Sequence, residues 1–546
     1  MGKRDEGLLP EFLTKPLTRR QVIQGAAAIG AGAALAPMIA ACGSSSSSSS
    51  PSASGSAAPK AGGHLKVAAA AGSAKEDLDI HAPALTMPSM DMRFNVYDSL
   101  LEHSSTGVLG MALAESVVPN ATATQFTVKL KPGLVFHNGK AVTADDVVYS
   151  FNRILNPKNP GLAAQQLLGL APGGTKKIDN LTVRFELKQA NAIFPEALAT
   201  YSAGIVPVGY NPKGGNGVVG TGPFKLASPG DFLPGQQAVF AKNPNYWRQG
   251  GGPYVDQLSM IEFADSTAQL NALLGGAVDY CQMIPGSQRK VAQGAGFLLL
   301  DSKTGSWIPF TMRTDVKPFN DVRVRQAFRL MVDRPQMIAQ AADGMQWLGN
   351  DMYAPFDPAY PKALPQRVQD LAQAKSLLKA AGAENLAIKL TTSTSVSSAA
   401  PAAATVFAQQ AKGAGVNVTV DNVTGDAFWG PSYLKYPFAM DNWGTRGYLA
   451  QAGMGSMPKA IYNETHWNDP KWLALVNQAY KTVDDTKRND LISQAATIEY
   501  NEGGYIIYAF DIQTDAHSDK VMGVVPDYSG LGSAAANARY RLAYFA

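Results

Sequence analysis

The sequence is short of the residues that site chemistry most often needs. Its 546 residues include two cysteines, Cys42 and Cys281, and no C-x-x-C pair. Neither a disulfide framework nor a thiolate metal site can be built from that. The six histidines, His64, His81, His103, His137, His466 and His517, are scattered, with no metal-ligand spacing among them. Charged residues make up only 16% of the chain, the formal net charge is +4, and no basic run reaches five residues. A nucleic-acid partner needs a dense basic stripe and is excluded. After residue 41 no stretch approaches the ~20 apolar residues of a membrane span. G-x-x-x-x-G-K-[ST], G-x-S-x-G and H-E-x-x-H are all missing. Gly215-Asn216-Gly217-Val218-Val219-Gly220 spells G-x-G-x-x-G, but Asn-Pro-Lys-Gly-Gly runs up to and into it and a Pro-containing turn follows. A dinucleotide site needs a strand before and a helix after, so this segment is expected to be loop. Neither enzyme activity nor a cofactor or metal is expected. His137 is expected to be a polar loop residue, and Cys281, in VDYCQM, apolar filler.

What the sequence does contain is an N-terminal address. Residues 18–42 read TRRQVIQGAAAIGAGAALAPMIAAC, with no charge from Gln21 to Ala41. The order charged, apolar, small is that of an export signal rather than of a fold. Thr18-Arg19-Arg20-Gln21-Val22-Ile23 resembles the twin-arginine motif, and Ile39-Ala40-Ala41-Cys42-Gly43 resembles a bacterial lipobox. Residues 1–41 are therefore expected to be a twin-arginine-type lipoprotein signal peptide, and Cys42 the lipid-bearing residue that ties the protein to the membrane. The seven serines Ser44–Ser50 and the Pro/Ala/Ser/Gly stretch behind them cannot bury apolar area and form a tether over 42–61. About 20 such residues reach roughly 25 Å.

The remaining length exceeds one hydrophobic core and calls for two or more domains. HLKVAAA reads as a strand, and FNVYDSLLEH (94–103) as a helix with Val96, Leu100 and Leu101 at helical spacing. QFTVKL alternates Phe126, Val128 and Leu130 with polar residues, the period of a half-buried strand. Thr143, with Asp146 three residues on, opens a helix by a capping box. KIDNLTVRFELKQ, YVDQLSMIEFAD and WIPFTMRTD are further strands. DVRVRQAFRLMVDRPQMI (321–338) is read as one helix, with Val324, Phe328 and Met331 inside and Arg323, Arg325 and Arg329 on a solvated face. VQDLAQAKSLLKAAG is a helix stopped by Gly382. Two helices around 470–502 and the strand YIIYAF follow. Strands alternating with helices indicate an α/β class.

Five strings carry a resemblance. They are LAESVVPNATATQFTVKLKPGLVFHNGKAVTADDVVYSFNRI, VGTGPFKL, KNPNYW, VKPFNDVRVRQAFRLMVDRPQMI and WNDPKWLALVNQAYKTVDDTKRNDLISQAATI. Together, and in this order, they resemble the peptide-type extracellular solute-binding proteins of ABC importers. The resemblance implies a two-lobed periplasmic-binding-protein-like α/β fold, with an extra subdomain inserted in lobe I and the ligand cleft between lobes that close by hinge motion. Carried over, lobe I comprises 62–95, 212–303 and 504–546, the insert 96–211, and lobe II 304–503. The implied function is membrane-tethered capture of a small, peptide-like solute and its delivery to permease subunits of an ABC importer, by a monomer lipid-anchored on the extracytoplasmic face. The alternative is a surface sensor or chaperone-like receptor on the same fold, without a transport role.

In peptide-binding relatives a W-x-x-D-Y-x-D-P segment of lobe II holds the peptide amine on its first aspartate. The corresponding segment runs from Asp441 to Tyr448. Trp443 keeps the tryptophan, and Arg446 stands where the aspartate would be. An arginine there favours a carboxylate or other anion, which its planar fork holds in two hydrogen bonds, while Trp443 offers a flat wall. Tyr448, Trp429 and Trp307 are further candidates for the same cleft.

Overall fold

Phe126, Val128 and Leu130 are buried while Gln125, Thr127 and Lys129 are exposed, so the alternation read from the sequence is the two faces of a strand. It belongs to an antiparallel sheet in the order Ala114–Pro119, Gln125–Leu130, Thr182–Leu187, Leu170–Lys177. The helix Ala144–Ile154 covers this sheet, opened by the predicted capping box: Asp146 Oδ2 accepts from the Thr143 backbone N–H at 2.9 Å. Phe126, Phe151, Phe185 and Phe194 meet in its core.

The computed structural model describes residues 59–70, 72–83, 86–167, 169–200, 202–212, 217–529 and 536–546. The signal segment, Cys42 and all but the end of the tether lie outside the described residues, as does the start of the G-x-G-x-x-G segment. Its end, 217–220, is turn and irregular backbone. A Cβ on Gly220 would stand 2.0 Å from the Val96 carbonyl oxygen, so that glycine permits a close backbone approach.

The larger sheet has nine strands. Its main path is Leu298–Trp307, Ala509–His517, Tyr280–Cys281, His64–Ala70, Gln257–Phe263, Gln237–Lys242, Phe224–Leu226. His64–Ala70 runs parallel to both of its neighbours; the other pairs are antiparallel. A third sheet runs Asn417–Asn422, Ala387–Thr392, Phe438–Met440, Phe310–Met312, Tyr505–Ile506. The chain passes between the two larger sheets from Leu298–Trp307 into Phe310–Met312 and from Tyr505–Ile506 into Ala509–His517, and in between it visits the nine-stranded sheet once more through Gln346–Leu348. These crossings join an α/β fold of two lobes. At the first crossing the register shifts between Lys303 and Trp307, and Thr304 Oγ1 donates to the Asp511 carbonyl at 2.9 Å. Cys281 is a free, buried thiol, pushed up to about 12 by burial.

Four expectations need correction. The segment 94–103 is not one helix. A helix capped by Thr86 ends at Val96, Tyr97 is extended (φ −123°, ψ 143°), and Leu101–His103 is a strand. Tyr97 is held there by hydrogen bonds of its hydroxyl with Leu78 and Tyr210. The segment 321–338 is two helices, Val322–Leu330 and Arg334–Ala341. Asp333 caps the second and Pro335 opens it, since a proline cannot continue a helix through its own ring. YIIYAF is split between two sheets. Finally, the arginine face of Val322–Leu330 is only partly solvated. Arg323 is exposed, but Arg325 is 5% and Arg329 0% accessible. Both guanidinium groups donate to backbone carbonyls at the end of the helix Asp485–Glu502 and just beyond it.

Candidate functional site

The strand Phe438–Met440 runs into a loop that begins at Asp441. An isolated bridge locks this loop to the first crossing: the Trp307 N–H donates to the Trp443 carbonyl at 2.9 Å, and the Trp443 N–H to the Trp307 carbonyl at 3.0 Å. Thr445 makes a second lock. Its Oγ1 accepts from the Gly305 N–H at 2.9 Å and donates to the Tyr528 carbonyl at 3.0 Å. The loop is therefore held by both the crossing strand and the C-terminal segment. That rigidity is what a binding loop needs, because ordering it beforehand lowers the entropic cost of binding.

Beside this loop lies a cavity of about 310 Å³. Phe356, Asp357 and the stretch Gly444–Gly447 form one part of its wall. The body of the four-stranded sheet supplies His103, Gln166, Glu196 and Thr200, and the C-terminal segment Tyr528. Phe356 meets Tyr528 edge to face at 5.5 Å, and the His103 ring lies 6.1 Å from the same tyrosine. His103 Nε2 is 2.6 Å from Glu196 Oε2. Asp357 Oδ2 accepts from the Tyr448 N–H at 2.8 Å and Oδ1 from the Ala359 N–H at 2.9 Å. Desolvation raises the Asp357 carboxyl above its ordinary range, and Glu196 acts in the same direction.

Arg446 lines the cavity, with its guanidinium carbon 5.6 Å from the centre of the Trp443 ring. Behind it stands a series of near-parallel rings: Trp443 on Trp307 at 6.1 Å, Trp307 on Tyr353 at 5.6 Å, and Tyr353 on Tyr448 at 5.1 Å. Trp443 is 7%, Trp307 2% and Tyr448 2% accessible. The side-chain polar atoms of Trp443 and Tyr448 are committed inside the protein. The Trp443 indole N–H donates to Glu464 at 2.9 Å. The Tyr448 hydroxyl donates to Glu499 at 2.8 Å and accepts from the Trp472 indole at 2.7 Å. Of the five side chains singled out in the sequence, Arg446 lines the cavity, and Trp443, Trp307 and Tyr448 form the packed support behind it. Trp429 sits apart, half-exposed against Phe428 and Tyr433. Sequence reasoning did not pick out Asp357, Glu196, His103 or Tyr528. They stand up to several hundred residues apart, and no spacing rule links them.

Among the described residues no group of three or more His, Cys, Asp or Glu side chains could hold a metal ion, and no helix is long and apolar enough to cross a membrane. Residues 109–460 match the family described as bacterial extracellular solute-binding proteins, family 5 Middle. The chain is 25% identical over 477 residues to heme-binding protein A of Haemophilus influenzae, covering 79% of this chain and 84% of that protein. It is 26% identical over 461 residues to the glutathione-binding protein GsiB of Pectobacterium atrosepticum, covering 76% and 83%. The PBP AgaA of A.tumefacien R10, solved in complex with agropinic acid, superposes with a TM-score of 0.70 at 23% identity, over 89% of this chain and 99% of that one.

Proposed function

The chain belongs to family 5 of the bacterial extracellular solute-binding proteins, and from that premise we propose that it captures a small, peptide-like solute in the cavity beside Arg446 and delivers it to an ABC importer. The observation that carries this reading is a cavity of about 310 Å³ between residues of both lobes and the C-terminal segment, with a cation on its wall. Its size falls at the lower end of ligand sites, which run from about 300 to 1,000 Å³. Binding here needs no chemistry. Apolar and aromatic wall area supplies affinity, while buried polar groups must be matched by the solute. Arg446, poised over Trp443, is proposed to hold an anionic or strongly accepting group of that solute. Trp443, Trp307 and Tyr448 position it rather than touch the solute.

The proposed partition is 62–95, 212–303 and 504–546 for the first lobe, 96–211 for the inserted body and 304–503 for the second lobe. Sheet membership supports it except at three places: Gln346–Leu348 pairs with Ala509–His517 in the nine-stranded sheet, Tyr505–Ile506 pairs with Phe310–Met312 in the five-stranded one, and the strand Leu298–Trp307 runs across the 303/304 boundary.

Native mass spectrometry of protein purified without denaturation should show a carried small molecule. Calorimetry with that molecule should then find Arg446→Ala weaker by about 2–5 kcal/mol, the cost of truncating one partner of a buried charge-assisted pair. An unchanged affinity in the folded variant would remove Arg446 from the site. Loss of uptake in a deletion strain separates an importer receptor from a sensor.

The proposal includes a lipid anchor on Cys42 and attachment to the extracytoplasmic face of the membrane. Cys42→Ala should move the protein from the membrane fraction to the soluble one, because it removes the acylated thiol. Retention of that variant in the membrane fraction would refute the anchor.

A further inference from the structure

Arg446 accounts for one sign of charge on the cavity wall. The acidic groups there are Asp357, from the second lobe, and Glu196, from the helix Phe194–Ala197, with His103 as the partner of Glu196. We propose that Asp357, with Glu196 on the wall of the same cavity, is a subsite for a cationic or N–H-donating group of the solute, so that the solute is a compact dipolar molecule whose anionic end lies at Arg446. This rests on the reading of the cavity as the solute site.

Three observations carry it. First, Asp357 is held still and has acceptor capacity left. Each of its oxygens takes one backbone N–H, and an ionised carboxylate offers about four acceptor positions. Second, its charge is poorly compensated. Burial and Glu196 both act against the ionised form; the two backbone N–H groups favour it, but the opposing charge of Arg488 is the weakest influence. Arg488 is itself engaged by Asp485 and by the carbonyls of Thr482 and Val483. A cation placed between two carboxylates from different bodies relieves both, since opposite charge favours the ionised forms. Third, the two poles flank one short loop. Arg446 Nη1 is 3.9 Å from where a Cβ on Gly444 would stand, and Asp357 Oδ2 is 3.3 Å from where a Cβ on Gly447 would stand. The ends of that four-residue loop can be no more than about 11 Å apart. Each charged atom reaches beyond its loop end, so the two poles lie within roughly 20 Å of one another, on the wall of one cavity.

The test uses the full chain, unfolded and refolded to strip carried molecules. It is titrated with dialanine, trialanine and γ-aminobutyrate, each in free, N-acetylated, C-amidated and doubly blocked form. The free, dipolar forms should bind, and N-acetylation should weaken binding on the order of 100-fold. Asp357→Asn should weaken the dipolar forms on the order of 100-fold and leave the N-acetylated ones unchanged. Arg446→Ala should give the mirror image with the amidated forms. Glu196→Gln, remote from the backbone bonds that Asp357 makes, should likewise weaken the dipolar forms and spare the acetylated ones. Wild-type affinity for the dipolar forms in both folded acidic-site variants would overturn the subsite. Binding only of neutral or singly charged forms would overturn it and leave the solute site standing. Binding of nothing in the panel would overturn the solute-site reading and this one with it.

Discussion

Replacing Arg329 with leucine should cost the protein about 3–5 kcal/mol, far more than an exposed arginine would. The side chain is wholly buried on the helix Val322–Leu330. Its Nε donates to the Tyr505 carbonyl at 2.9 Å, Nη1 to Asn501 at 3.3 Å and Nη2 to Gly503. These carbonyls lie at and just beyond the end of the helix Asp485–Glu502, where the last four carbonyls of a helix have no partner inside it. Arg325 closes the same end by donating to Glu502 and Gly503. Leucine fills the volume but removes three hydrogen bonds from a charged donor, each contributing about 1.5–3 kcal/mol, although Gly503 keeps Arg325 and Asn501 keeps Gln326. The urea midpoint of Arg329→Leu, set beside that of Arg323→Leu, measures the difference. Arg323 is exposed and paired with Asp321, so its loss should stay within about 0.5 kcal/mol. Equal midpoints for the two variants would mean that water enters and replaces the guanidinium.

Acid should weaken the fold through two histidines that are enclosed in neutral form. Burial pushes His81 down to about 4, and it does the same to His137. The ordinary value is near 6.5. Between those limits the unfolded chain binds a proton that the folded chain refuses, so stability is lost as pH falls from about 6.5 to about 4. Each group contributes about 3 kcal/mol over that window. His137 shows why. Its Nε2 lies 3.0 Å from the Gly222 carbonyl, so it donates, and its Nδ1 accepts from the Gly220 N–H at 3.3 Å. Protonation would turn that acceptor into a donor facing another donor. Buried carboxyls with raised values, such as Asp511 at about 6 and Glu262 at about 8, act in the opposite direction. The contribution of His137 is therefore read as the difference between wild type and His137→Gln. The stability gap between the two should shrink by about 3 kcal/mol from pH 6.5 to 4. A gap that stays constant across that range would show that His137 does not titrate with unfolding.

Local rules recovered local structure. QFTVKL, the capping box at Thr143 and the stop at Gly382 (φ +65°) are settled by residues within a few positions of one another. Long-range partners decided the rest. Helical period placed Arg325 and Arg329 outside because it counts apolar residues; the helix end that receives them is more than 170 residues away in sequence. Val96, Leu100 and Leu101 satisfy a helical period but are buried equally well across a helix end and a strand. The site divides in the same way. Arg446 and Trp443 were reached because their loop is a continuous segment. Asp357 was passed over because a single aspartate in a Pro-containing stretch carries no period and no motif. Long-range contacts place it at the cavity: the Tyr448 N–H on its carboxylate and the packing of Phe356 on Tyr528.

The position of the first described strand has a consequence for synthesis. His64–Ala70 lies inside the nine-stranded sheet, and its neighbour Tyr280–Cys281 is closed on the other side by Ala509–His517. A ribosome adding about 5–20 residues per second needs roughly 20–90 s to cover the residues between the first of these strands and the last. For that interval the centre of the sheet has an open edge, and an unpaired strand edge is a template for aggregation. Non-local pairing of this kind also folds slowly. The nascent chain should therefore depend on a holding factor until the last strand emerges, and a chain cut before residue 509 should never complete the sheet.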